Sequence, residues 1–272
     1  MHPTAIIKNQ LFLNACAKNR TDTERPKVLD VGSRVYPRKG ADPAAVEAKS
    51  RGPRALRSFC RKLGLQYFGL DMSAGINVDI VSSKAFLWQE IEDESFDYVL
   101  STSTFEHNPF FWVTFAEIAR VLKQGGKTLI TAPAAGIVHR YPVDCWRFYP
   151  DSWGVLCTLT GLTVDEVISE PFQSLGVLPG AQWWDSSIVA SKPAFDNARA
   201  RTEFYERLKP LVEPYGEFGP DFKPVEVNKG PLFRAYLRRV VKEQQRQRDT
   251  PSGSAPQPDY LRNHMRSAMR PI

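Results

Sequence analysis

The chain has 272 residues, 42% of them hydrophobic, which suffices for one large α/β domain with appendages. Its four cysteines, Cys16, Cys60, Cys145 and Cys157, show no C-x-x-C spacing, which argues against a zinc site and a disulfide scaffold, so no metal is expected. The net charge of +6 is uneven: Lys229 to Ile272 carry ten Lys or Arg against three acids, and the remainder is close to neutral.

Thr4 to Lys18 reads as a helix. Its apolar part, Ala5 to Leu13, is interrupted by Lys8, Asn9 and Gln10, so neither a signal peptide nor a membrane span is expected, and a cytoplasmic protein with reduced thiols is. Val28 and Leu29 mark the end of a buried parallel strand, followed by Asp30, Gly32 and Ser33 where that strand turns toward a helix. A long connection, Val35 to Pro53, precedes the next helix, and the loop Arg34 to Arg51 is a candidate lid or acceptor-recognition element. Tyr67, Phe68 and Leu70 form a second strand ending on Asp71. An acid at that tip, beside a glycine turn, is where a doubly wound fold grips ribose hydroxyls.

A dinucleotide fold needs further glycines to cradle a pyrophosphate, and Arg34, Tyr36 and Pro37 occupy those places. This disfavours a nicotinamide oxidoreductase. A nucleoside cofactor without phosphate needs no such cradle, and S-adenosylmethionine is of that kind. On this string alone a methyltransferase, a degenerate nucleotide binder and a plain strand and turn all stay open.

Phe96 to His107 reads as an apolar strand, a small polar rim, then Glu106 and His107. Phe111, Phe115, Ile118, Ala119 and Leu122 recur at helical spacing, Gly125 and Gly126 are expected to stop that helix, and Thr128 to Thr131 is the next strand. Leu162 to Ser169 and Ser186 to Ala190 read as further strands, Ala194 to Leu208 as a helix, and Pro210 to Pro231 as an irregular segment.

In this order VLDVGSR, YFGLDMSAGINVDIV, FDYVLSTSTFEH, EIARVLKQGGKTLITAP and HRYPVDCWRFYPDSW, spanning roughly Lys27 to Trp153, resemble a class I S-adenosylmethionine-dependent methyltransferase of the methyltransferase-11 type. The resemblance implies an α/β fold: a doubly wound, Rossmann-like, seven-stranded sheet with helices on both faces, here with an N-terminal helix and a C-terminal helical extension. It implies the cofactor S-adenosyl-L-methionine across the carboxyl ends of the first, second and fourth strands. Asp30, Gly32 and Ser33 would meet its methionine end, Asp71 with Met72 its ribose and adenine, and Ser101 with Thr102 its sulfonium side. Ser82 or Ser83 stands where many relatives carry an acid near the adenine amine.

The expected organisation is an N-terminal helical segment (1–24), a methyltransferase domain (25–193), a helical extension (194–248) and a flexible basic tail (249–272). In the tail Phe233, Tyr236, Leu237 and Val240 keep helical spacing among Arg234, Arg238, Arg239 and Lys242, and Thr250 to Pro258 reads as a linker. A solvated amphipathic helix is the expected reading of this region, with RNA, anionic lipid or an acidic partner as alternatives.

A hydroxyl acceptor must lose a proton, and histidine is the natural base. The candidates are His107, beside Glu106, and His139, with Asp144 to orient its imidazole and Arg147 close behind. Glu106 itself is read as holding the loop rather than acting as a base. Tyr141, Trp146, Phe148 and Tyr149 are candidates for the floor of an acceptor pocket, with Trp183 and Trp184 on its far side or packed as structure. The expected reaction is methyl transfer to oxygen or nitrogen of a small-molecule or carbohydrate acceptor. The alternatives are a non-catalytic cofactor-binding module and an RNA-directed methyltransferase using the basic tail.

Overall fold

The computed structural model describes residues 3–18, 24–37, 40–52, 55–169, 183–219, 222–225 and 231–249. The chain divides into two compact units, residues 1–224 and 225–272. The strands of the first unit are β1 (Lys27–Val31), β2 (Gln66–Asp71), β3 (Ile80–Val81), β4 (Phe96–Thr102), β5 (Leu122–Pro133), β6 (Thr163–Ser169) and β7 (Asp185–Ser191). They form one seven-stranded sheet in the order β3-β2-β1-β4-β5-β7-β6. The first five strands run parallel, and β7 lies antiparallel to both β5 and β6. The doubly wound sheet expected from the resemblance is therefore the one observed.

Alternation along β1 explains why both faces are covered. Leu29 and Val31 join a core with Val99, Ile130 and Ile188 that receives α4 (Phe111–Val121), α5 (Pro150–Thr160) and α6 (Ala198–Val212). Val28 faces the other way, with Tyr67, Leu100 and Leu129, against Phe12 and Leu13 of α1 (Pro3–Lys18) and Cys60 of α3 (Leu56–Lys62). Val113, Phe115, Ile118 and Ala119 of α4 are all fully buried, and burial of a side chain such as Phe115 or Ile118 contributes about 1.5–3 kcal/mol. From β1 the chain builds outward to β2 and β3, then crosses back to lay β4 on the other side of β1. In such sheets ligands bind outside the carboxyl ends of the strands where the order reverses.

Three local expectations are corrected. α4 does not run on to Gly125; it stops at Val121, because Leu122 already pairs with Phe96 and the buried Lys192 Nζ takes the Arg120 and Leu122 carbonyls at 3.2 and 2.8 Å. Gly125 and Gly126 instead shape β5, exchanging backbone bonds of 2.9 Å with Lys192. The connection after β1 is not all loop: it contains α2 (Pro43–Arg51), started by Pro43 and by Asp42, whose carboxylate accepts from the Ala44 N–H at 3.0 Å. The later helix begins at Ala198 rather than Ala194, because Asn197 caps it by accepting from the Ala200 N–H at 3.0 Å, and it runs past Pro210 to Val212.

Within the second unit, α7 (Pro231–Asp249) is a helix of 19 residues bearing Arg234, Arg238, Arg239 and Lys242. The linker Thr250 to Pro258 and the tail beyond it lie outside the described residues.

Candidate active site

β1 ends in a turn at Gly32, with φ +74°. The N–H groups of Gly32 and Ser33 both donate to the Leu70 carbonyl, at 2.9 and 3.1 Å, so the turn is tied to the end of β2. A side chain at position 32 would overlap Thr104, and both this crowding and the left-handed backbone demand glycine. Asp71, at the tip of β2, is half-buried. Its Oδ2 accepts from the Arg34 N–H at 3.3 Å and its Oδ1 from the Ser73 N–H at 3.2 Å. Burial pushes the Asp71 carboxyl above its ordinary range, against the pull of those two donors. An ionised carboxylate has about four acceptor positions, so capacity remains for a pair of ribose hydroxyls. Met72 beside it is 48% exposed and offers an apolar thioether surface.

The other expected cofactor residues reach the same edge with their polar groups already engaged. Asp30 is buried and accepts from the Tyr67 hydroxyl; burial lifts its carboxyl to about 6, and that hydrogen bond opposes the rise. Ser33 Oγ donates to the Asn77 carbonyl at 3.0 Å, and Asn77 Nδ2 donates in turn to the Tyr67 oxygen at 2.8 Å. Ser82 Oγ donates to the Lys84 carbonyl at 2.6 Å, and Ser101 Oγ to the Val31 carbonyl at 3.2 Å. Thr102 Oγ1 accepts from Asn9 Nδ2 of α1 at 3.2 Å. These side chains fix the shape of the turns, while Gly32, Asp71 and Met72 present the open surface.

Beyond β4, a short 3-10 turn, Phe105–His107, carries Glu106 and His107. The segment after β5 returns to this turn: the N–H groups of Cys145 and Trp146 donate to the Glu106 carbonyl at 2.7 and 3.2 Å. The His107 and His139 rings thereby meet at a centroid distance of 4.7 Å, inclined at 75°. His107 Nδ1 donates to the Val143 carbonyl at 2.7 Å, so in the neutral ring Nε2, 3.7 Å from Glu106 Oε1, carries no hydrogen. His139 Nε2 lies 3.8 Å from the same oxygen. Asp144 Oδ2 accepts from the His139 backbone N–H at 2.7 Å and sits 3.3 Å from its Nδ1. Arg147 holds Asp144 in a two-pronged contact of 2.6 and 2.8 Å and also donates to the Ile137 carbonyl at 2.9 Å. The structure thus brings His107, His139 and Asp144 together.

Burial and hydrogen bonds pull the groups of this cluster in opposite directions. Glu106 is 1% exposed, and burial, reinforced by the charges of Asp185 and Asp144, pushes its carboxyl up to about 8. Burial lowers His107, against the Val143 hydrogen bond. Burial works to raise Asp144 as well, but the Arg147 hydrogen bonds and the His139 N–H hold it below the usual carboxylate range. A cavity of about 30 Å³ lies beside the cluster, lined by Ser103, Glu106, Pro133, His139, Trp183 and Asp185. Trp183 packs on His139 at 4.3 Å between ring centres, and Lys8 Nζ stands 3.8 Å from Asp185 Oδ2.

One member of this cavity escapes a reading of the sequence, and a second, Glu106, is read there only as holding its loop. Asp185 opens β7 and reaches the cluster only because β7 pairs antiparallel with β5, setting Asp185 opposite Pro133. Glu106 as a buried, cavity-lining acid was signalled only by its place after a strand and before a histidine.

Residues 52–130 match the family model described as a methyltransferase domain. No curated protein sequence matches the chain. Among solved structures, the chain is similar to a 1,6-didemethyltoxoflavin-N1-methyltransferase of Burkholderia thailandensis holding 1,6-didemethyltoxoflavin and S-adenosylhomocysteine: 15% identity, 70% of this chain and 79% of that one, TM-score 0.47. It is also similar to the chain, named there as a methyltransferase, in complex with the Haloferax volcanii Trm112 methyltransferase activator: 19% identity, 71% and 94% coverage, TM-score 0.45. A third is the YcgJ protein of Bacillus subtilis: 16% identity, 67% and 98% coverage, TM-score 0.41. At such distances these likenesses carry no argument about activity. Among the described residues no helix is long and apolar enough to cross a membrane. The family match covers less than a third of the chain, and over that stretch the chain is similar to a methyltransferase domain.

Proposed function

We propose that the protein transfers a methyl group from S-adenosylmethionine to an oxygen or nitrogen atom of a small-molecule or glycan-like acceptor. When bound, the cofactor supplies an electrophilic methyl group on a sulfonium that becomes a neutral thioether. In this reading Asp71 takes the ribose hydroxyls, Met72 lies against the adenine, and the turn of Gly32 and Ser33, held from behind by Asp30, receives the methionine end. Ser82 fixes the loop beside the adenine, and Ser101 and Thr102 set the rim below the reacting centre.

The observation that carries the proposal is the pairing of His107 and His139 about Glu106, on the β4 and β5 side of the same carboxyl edge that holds Gly32 and Asp71. An O–H or N–H acceptor needs alignment and a place for its proton. Alignment is worth about 7–11 kcal/mol, and the cluster of imidazoles and carboxylates receives the proton. Asp144 is the positioning residue, fixing His139 through its backbone N–H at 2.7 Å and standing 3.3 Å from its ring Nδ1. Tyr141 and Tyr149, both exposed on the segment that carries His139, supply aromatic faces suited to flat ligands or sugar rings.

The four cysteines are unpaired, three of them buried, which supports a reducing, cytoplasmic setting. The reading takes residues 25–193 as the methyl-transferring part, with 1–24 as an N-terminal helical segment, 194–248 as a helical extension and 249–272 as a basic tail.

The test is to incubate the full chain with S-adenosylmethionine labelled in the methyl group and fractionated small-molecule and glycan extracts. Label should pass to an acceptor fraction with the parent and fall steeply with His139→Ala, while affinity for S-adenosylhomocysteine stays at the parent value. Cofactor binding with no labelled product in any fraction would contradict the reading and mark a binding module.

A further inference from the structure

We infer that Glu106, His107 and His139 form a binding site for one divalent transition-metal ion, of the zinc, cobalt, manganese or iron(II) class. One donor atom from each residue falls within 4.8 Å of the other two. Two imidazole nitrogens and one carboxylate oxygen suit these ions better than magnesium or calcium, which prefer oxygen alone. Metal–ligand bonds of about 2.0–2.2 Å require the three donors to draw in by roughly 1 Å, a movement within reach of side-chain rotation.

Three features mark the cluster as built for a cation rather than merely crowded. The first is the outer layer. Each imidazole has its Nε2 within 3.8 Å of Glu106 Oε1, and His107 Nδ1 donates to the Val143 carbonyl at 2.7 Å, the outer contact that ordinarily orients a metal-bound histidine; His139 Nδ1 lies 3.3 Å from Asp144 Oδ2 without a hydrogen bond. The second is an orphan: Glu106 Oε2 is buried with no hydrogen-bond partner, an unfavourable arrangement that a cation would relieve. The third is room: the adjoining cavity of about 30 Å³ takes one water molecule or one acceptor oxygen as a further ligand.

The site's existence is independent of the methyl-transfer reading, and only its role rests on it. An acceptor hydroxyl on the metal would ionise closer to neutral pH and release its proton to water, the two imidazoles and Glu106 being occupied as ligands. The sequence gives no warning of this, because the cysteine spacing that signals zinc is missing and the three ligands lie on two segments separated by β5.

The test uses the untagged full chain, stripped with a chelator and then titrated with Co2+, read by visible absorption, and with Zn2+, read by equilibrium dialysis. One equivalent should bind. Glu106→Gln, His107→Ala and His139→Ala should each weaken binding by about tenfold or more, while Cys145→Ser, which removes the exposed thiol on the neighbouring segment, should leave it unchanged. Anomalous scattering from crystals of the parent soaked in Zn2+ should give a peak between the three residues, a readout that survives any folding defect in the variants. No stoichiometric binding, binding unaltered by all three substitutions, or an anomalous peak elsewhere would overturn the inference. Labelled-methyl assays with and without chelator keep the two readings apart: transfer without metal binding removes only the metal site, and metal binding without transfer removes only the reaction.

Discussion

The Trp183 indole lies against the His139 imidazole, ring centres 4.3 Å apart, over a backbone that is glycine at position 136. A Cβ at Gly136 would overlap the Trp183 ring, and its φ of +102° is strained for any other residue. Gly136→Ala should therefore displace the indole and loosen His139. The expected results are a shift in tryptophan emission, a loss of about 1–3 kcal/mol in stability and about a hundredfold lower methyl transfer, with S-adenosylhomocysteine affinity unchanged by calorimetry.

Asp71 supplies the acceptor capacity assigned to the ribose. Asp71→Ala should weaken S-adenosylhomocysteine binding by about ten- to a hundredfold, the loss of one or two charge-assisted hydrogen bonds, as measured by titration calorimetry. Asp71→Asn, which keeps one carbonyl oxygen, should fall between. Parent-like affinity in both variants would remove Asp71 from the cofactor site.

The segment bearing His139 is pinned by Arg147, which grips Asp144 and the Ile137 carbonyl. Arg147→Ala leaves the Asp144 carboxylate without its counter-charge and should cost about 2 kcal/mol in urea unfolding. Arg147→Lys should not restore it, because an ammonium cannot make the two-pronged contact.

Asp30 makes a pH signature. Its carboxyl is raised to about 6 by burial, so the folded state favours the protonated form. That preference contributes fully below the unfolded value of about 4 and is lost as the pH rises through about 6. Above that range the ionised group costs about 3 kcal/mol, from roughly two units at 1.36 kcal/mol each. Asp30→Asn keeps an acceptor for the Tyr67 hydroxyl and removes the charge. The variant should melt higher than the parent near neutral pH and close to it at about pH 4. A gap between the two melting curves that does not change with pH would contradict this.

The parts of the site legible in the sequence are those set by a few consecutive residues. Gly32 and Asp71 can be read because strand, turn and acid follow one another locally, and the order of such units fixes a doubly wound sheet. The end of α4 could not be read, since the groups that stop it, Phe96 and Lys192, lie far away in the chain. α2 was hidden because its start depends on Asp42 and Pro43, within a stretch whose arginines, lysines and prolines read as loop. The two histidines were visible as candidates, but their closure on Glu106 and the approach of Asp185 and Trp183 depend on sheet register and on the return of the segment after β5. Such long-range contacts leave no spacing to detect.

The most direct measurement is a crystal structure of the full chain grown with S-adenosylhomocysteine. The account predicts the ribose hydroxyls on Asp71, the amino-acid end at the Gly32 turn, and the sulfur facing the side of the cleft that holds His107 and His139. A nucleoside bound away from Asp71, or a sulfur turned from both histidines with no path for an acceptor between them, would contradict it.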